Sequence, residues 1–352
     1  MDKKQTLYFK NKPYIAGSCA IGGEKEQKSR MNEWFDWCSK DNTFGQESWE
    51  KAESEMLKTA MNGAVRNSGK SINDIDVVLS GDLLNQIMSS SFMARDLQVP
   101  FLGLYGACST MTESLILASA LIDGAYFNNV LAGASSHYCT AERQFRMPLE
   151  HGNQRPPSAQ WTATAAGAMV VSSDKSNEVD VSDINGKTRK LRRIRVDCGT
   201  IGKIIDAGVK DVNMMGSAMA PSAIDSILTH LNDTNRSLEY YDLVLTGDLG
   251  KIGKEIVKDM LCDAGINKKS IERIYDDCGT MMYEEFQDVH SGASGCGCSA
   301  SIFSSYVLKK MRRGDYNRVL IISTGALIST ISPFQGESIP GIAHAVALES
   351  EK

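Results

Sequence analysis

Hydrophobic and polar positions along the chain alternate between two periods. Residues 49–68 (Trp49 to Ser68) repeat apolar positions at helical spacing, and the apolar run Ile75-Asp-Val-Val-Leu-Ser-Gly-Asp82-Leu follows. The spacing predicts an amphipathic helix and then a buried strand. The same order recurs with a helix over Ser217–Leu231 and the strand Tyr241-Asp-Leu-Val-Leu-Thr-Gly-Asp248-Leu. The two strand segments agree at six of nine positions, at a constant offset of 166 residues. A second pair of segments extends the repeat. Tyr105-Gly-Ala-Cys108-Ser opens a helix to Ile122, a turn at Gly124-Ala-Tyr126 and the strand Val130–Ala134. Gly295-Cys296-Gly-Cys298-Ser opens a helix to Met311, a turn at Gly314-Asp-Tyr316 and the strand Val319–Ser323.

Strands alternating with helices of ten or more residues indicate βαβ units, so the chain is expected to be α/β, a duplicated fold of two similar halves with mostly parallel sheets covered by helices. The polar and glycine-containing stretch 172–195 interrupts the pattern, which gives an N-terminal half at 1–172 and a C-terminal half at 173–352. The basic cluster Lys187 to Arg195 falls in this stretch and reads as a hairpin or linker surface. The closing segment, Ser332 to Leu348, reads as a loop and a final strand holding His344 as a core histidine.

Composition narrows the function. With 42% hydrophobic and 23% charged residues the 352-residue chain is of ordinary globular make-up, and its net charge of -5 argues against a nucleic-acid binder. The longest apolar stretch, Ser114 to Ile122, is under half the ~20 residues that span a bilayer, and the polar start lacks the apolar core of a signal peptide. Synthesis in the cytoplasm and peripheral membrane association are therefore expected. Nine cysteines without CxxC pairing fit free thiols. The lone Cys296-Gly-Cys298 has no partner pair at zinc spacing.

Several residues have the chemistry of a site. Cys108 stands at a strand-to-helix turn, where unpaired N–H groups stabilise a thiolate; the plainer reading is a small buried turn residue. His290 precedes the glycine-rich start of the matching helix, which begins near Ser294, and converges on Cys108 if the halves face each other. Asp82, Asp248 and His137 end strands, either lining a cleft or capping local turns.

Duplicated halves, a helix-starting Cys108 and His290-Ser-Gly-Ala-Ser-Gly together resemble the thiolase and ketoacyl-synthase superfamily over nearly the whole chain. The resemblance implies that Cys108 is the acyl-accepting nucleophile and His290 its histidine. Asp248 stands where condensing enzymes carry a second histidine, and a carboxylate lacks the N–H donor for a thioester oxygen. Gly106-Ala-Cys108-Ser-Thr110, Asp288 to Cys298, and Gln335-Gly-Glu-Ser-Ile-Pro-Gly-Ile-Ala-His344-Ala-Val resemble, more narrowly, the dipicolinic-acid-binding branch found in spore formers. That resemblance implies a non-catalytic protein that binds pyridine-2,6-dicarboxylate and supports its loading, with membrane partners at the spore inner membrane. The alternative is a cytoplasmic acyltransferase with Cys108 as nucleophile. Cys108, Asp82, His137, Asp248, His290 and Ser294 are the expected ligand contacts. Tyr105, Phe145 and Trp161 are stacking candidates, and Arg143, Arg146 or Arg155, near His151, is a carboxylate partner. No cofactor is expected; calcium bound with the ligand would share Asp248. Self-association as a homodimer is allowed.

Overall fold

The computed structural model describes residues 4–145, 155–175, 180–182 and 188–351. In the first half the principal elements are β1 (Tyr14–Gly22), α1 (Trp49–Asn67), β2 (Val77–Gly81), α2 (Met88–Leu97), β3 (Phe101–Gly103), α3 (Thr110–Asp123), β4 (Asn129–Ser136), α4 (Tyr138–Phe145) and β5 (Ala165–Ser172). The second half has β6 (Arg193–Thr200), α5 (Met215–Thr234), β7 (Leu243–Thr246), α6 (Gly250–Asp263), β8 (Tyr275–Asp277), α7 (Cys296–Ile302), α8 (Leu308–Arg313), β9 (Arg318–Ala326) and β10 (Gly341–Glu351). A π turn at Phe303–Val307 joins α7 to α8, so the predicted single helix carries one irregular turn.

Strand order repeats as the duplication requires. The first sheet runs β1-β5-β4-β2-β3 and the second β6-β10-β9-β7-β8. In each, the second strand of that order is antiparallel to both neighbours, while the last three pair in parallel. Four strands of five therefore point one way, and the halves are mostly parallel as expected. The sheets meet at a single residue pair, Tyr14 with Arg195. The N-terminal strand Thr6–Tyr8 crosses over and pairs with β6. Within the basic cluster, Thr188–Lys190 pairs with Asp180–Ser182 as a short antiparallel ribbon, in line with the hairpin reading.

Helices cover the sheets for reasons visible in their sequences. α1 buries Ala52, Met56, Leu57, Ala60, Met61 and Ala64 on one stripe, and its first turn is capped by the Ser48 hydroxyl accepting from Lys51 N at 3.4 Å. That stripe and Met93 of α2 pack on the outer face of the first sheet. Met219, Ala223 and Ile227 of α5, with Val257 and Leu261 of α6, do the same for the second. The third and largest cluster lies between the sheets and draws on both halves. Met111, Leu115 and Ile116 of α3, and Cys296, Cys298 and Ile302 of α7, meet Val77, Met169, Val319, Ile321 and Leu348 there. α3 and α7 thus form a central layer, weakly amphipathic because nearly every side of it is buried, Leu117 of α3 being an exposed exception.

Candidate functional site

Where α3 and α7 begin, a cavity of about 50 Å³ opens, room for a few waters at ~10–15 Å³ each. Cys108, Ala107 and Tyr105 line it from the turn before α3, Ser294 and Gly295 from the strand end before α7, and Thr162 from the short strand paired with that end. Leu83, Phe145, Val212, Met215 and Ile328 give it an apolar wall, and Glu142 stands in that wall. The turn is tight: Ala107 takes a left-handed φ of 49°, which costs a non-glycine residue energy and raises Cys108 into the cavity floor.

The Cys108 thiol is hydrogen-bonded to the carboxylate of Asp248. Burial, reinforced by that negative charge, pushes the thiol well above its ordinary pKa. A thiol so placed stays protonated, the reverse of the thiolate that a helix start was expected to favour. Asp248 is fully buried one layer behind the cavity. Its Oδ2 accepts from Gly295 N at 2.9 Å and its Oδ1 from the Thr324 hydroxyl at 2.8 Å, while its own carbonyl accepts from Gln160 Nε2 at 2.7 Å. Burial pushes its carboxyl up to about 7, against the opposing pull of the hydrogen bonds from Thr324, Cys108 and Gly295. Nearby Asp277, bonded to Leu249 N, Gly250 N and Thr246, is pushed by burial to about 6.

The other expected contacts divide. Ser294, Tyr105 and Phe145 line the cavity with Cys108. His290 is neither among the lining residues nor among the charges acting on Cys108. At a left-handed φ of 53°, its Nδ1 donates to Pro156 O at 2.8 Å and its Nε2 lies 3.1 Å from Asp288. The convergence of His290 on Cys108 is therefore absent. His137 is buried, donating from Nε2 to Asn42 O at 2.7 Å and accepting Cys139 N at Nδ1. Asp82 caps its own turn, accepting Leu84 N at 2.9 Å and Ser90 N at 2.7 Å, in keeping with the capping alternative.

The side chains around the mouth are engaged. Arg155 pairs with Asp288 and lies 4.8 Å over the ring of Trp161, whose partner Tyr138 stacks at 3.7 Å. Arg143 pairs with Glu50 beside Trp49. Arg146 and His151 lie outside the described residues. His344 is buried and accepts Gly202 N, as a core histidine. Cys296 and Cys298 donate to the carbonyls of Ser135 and Gly247, and among the described residues no group of three or more His, Cys, Asp or Glu is placed to hold a metal. Sequence reasoning missed Thr324 and Gly295 as partners of Asp248, and Glu142 in the wall. It also missed buried Glu53, bonded to Thr140 and Ser135 and pushed by burial to about 8. Gly295 stands in the glycine-rich helix start already singled out, but Thr324, Glu142 and Glu53 stand in no recognisable motif.

Two duplicated α/β halves enclosing a pair of central helices, with a cysteine at the start of the first, define a thiolase-like protein. The 3-oxoacyl-[acyl-carrier-protein] synthase III of Aquifex aeolicus VF5 shares this fold at a TM-score of 0.54 and 12% identity, over 96% of this chain and 99% of that one. A variant of OleA from Xanthomonas campestris shares it at 0.62 and 11% identity, over 99% of both chains. Within that class the chain belongs to the stage V sporulation protein AD (SpoVAD) family, whose profile matches residues 3–349. Stage V sporulation protein AD of Bacillus subtilis (strain 168) is 41% identical over 346 residues, 98% of this chain and 97% of that protein. This is a sporulation protein, and no helix among its described residues is long and apolar enough to cross a membrane.

Proposed function

We propose that the chain binds dipicolinic acid, free or as its calcium complex, and supports its uptake into the developing spore and its release at germination. One observation carries the reading: Cys108 is held as a thiol against the Asp248 carboxylate, with no imidazole among the described residues bonded to it, on the floor of a cavity. A thiol pushed well above its ordinary pKa is a poor source of thiolate, whereas the cavity remains usable for binding. The positive ends of the central helices point at this floor and suit a carboxylate, whose ring would rest at the mouth beside Tyr105 and Phe145. Asp248, part-protonated near neutral pH, opposes such a ligand less than an ordinary aspartate would. Both its oxygens are engaged, so calcium would enter through the ligand's own donor atoms. The protein would act at the forespore or spore inner membrane as a peripheral component, with the membrane proteins of the stage V sporulation A complex.

The test is calorimetric titration with dipicolinate, with and without calcium, on the parent and Cys108→Ala. Loss of one hydrogen bond to a charged ligand predicts roughly tenfold weaker binding in the variant. No heat from either ligand form would end the proposal. The apolar wall of Leu83, Phe145, Met215 and Ile328 favours a second reading, acyl transfer through Cys108. Intact mass after incubation with acyl-coenzyme A decides it, an adduct on Cys108 establishing the enzyme.

A further inference from the structure

Away from the central cavity, and sharing no residue with it, a cleft lies where the two sheets touch. We propose that this cleft is an oxyanion site, taking a phosphate group between Arg312, Arg192 and Arg193. It is bounded by Tyr14 to Ala16 of β1, by Lys175 just after β5, by the residues entering β6, and by Arg312 near the end of α8. Among the described residues four cations line it against one acid, Asp174, which already pairs with Lys70 at 3.8 Å.

Arg312 is the residue that asks for a ligand. Its guanidinium, largely buried, donates to the carbonyls of Ile15 at 3.2 Å and Ala16 at 3.4 Å, both neutral. Among the described residues no carboxylate pairs with it, and burial alone depresses its pKa. A buried guanidinium with only neutral acceptors is costly, and an anion offsets that cost. The neighbouring charges are held in place. Arg192 N donates to Arg312 O at 3.0 Å and its guanidinium donates to Asn317 Oδ1, while the Arg193 guanidinium donates to Lys175 O at 3.2 Å. The cleft's volume, about 10 Å³, is that of one water, so it admits one terminal oxygen while the rest of the group stays at the mouth. Guanidinium forks match the geometry of a phosphate, whether free in solution or on a phospholipid headgroup.

The probes are inorganic phosphate, read by calorimetry and thermal unfolding, and phosphatidylglycerol vesicles, read by flotation. Arg312→Met should weaken whichever probe binds by about tenfold or more. Without phosphate it should unfold no lower than the parent, because it removes an unpaired buried charge. Phosphate binding without flotation assigns the cleft to a soluble phosphate, and flotation lost in the variant assigns it to a headgroup. A parent that binds neither probe, or a variant that binds as the parent does or unfolds lower without phosphate, overturns the proposal. Should Arg312→Met not fold, Arg193→Gln carries the binding comparison with the same outcomes. Dipicolinate titrated into the same variant reports on the central cavity separately.

Discussion

Asp82 and Asp248 hold the same place in the two copies of Gly-Asp-Leu, yet one caps a turn through Leu84 N and Ser90 N while the other reaches Cys108, Gly295 and Thr324. The repeat made both positions legible, and Cys108 was legible from its strand-to-helix turn. What separated the two aspartates was not, because Thr324 is 76 residues from Asp248 and nothing local announces the contact. His290 misled for the same kind of reason: its motif was read correctly, but a left-handed backbone turns the ring to Pro156. The raised carboxyl of Asp248 has a measurable consequence. The native state keeps this proton up to about 7, whereas the unfolded chain releases it near ~3.9. Stability from this group is thus complete below ~3.9 and is lost as pH rises through 7, at up to ~1.4 kcal/mol per pH unit. Asp248→Asn, which does not titrate, should gain on the parent between pH 5 and 7 in urea unfolding. A difference between the two that is constant with pH would show that Asp248 is already ionised.

Contact between β5 and α7 depends on the absence of side chains. A Cβ on Gly167 would stand 2.0 Å from Ala300 O, and one on Gly297 would stand 2.1 Å from Ala165 O. Backbone on both sides leaves nothing flexible to move aside, so Gly167→Ala is expected to cost ~1–3 kcal/mol as overpacking. Chemical denaturation measures this, and a cost below that range would mean that α7 can shift away from the sheet. Because α7 carries Gly295 at its start, such a shift would also loosen the cavity floor. Elements with one wet face, such as α1 and α5, were readable from periodicity within a few residues. β5 was not assigned, since Ala165–Ser172 is buried on both faces and shows no alternation. The π turn at Phe303–Val307 lies in a helix buried on almost every side, where a one-residue irregularity leaves no trace in the pattern.

At the scale of the molecule, the duplication told more about architecture than any single residue, because a constant offset fixes which strands correspond. The first sheet ends at β3, an edge with Leu102 52% exposed and Phe92 and Met88 of α2 exposed nearby in sequence. An apolar open edge is a pairing hazard unless it is covered, and a second copy offers the same edge in return. The chain is therefore expected to sediment as a dimer and Leu102→Lys as a monomer; a monomeric parent would leave the edge without this role. The layer built from α3 and α7 reaches further. Neither half owns a complete interior, since α3 rests against β9 and β10 of the opposite half, with Ile116 beside Gly199, and α7 rests against β4 and β5. An ancestor of half this length would have had to find that missing partner in another copy of itself, and fusion made the partnership permanent. Calorimetry should accordingly record one melting event for the whole chain, and the halves expressed singly should remain unfolded until mixed. Two separable transitions would mean that each half had kept its independence.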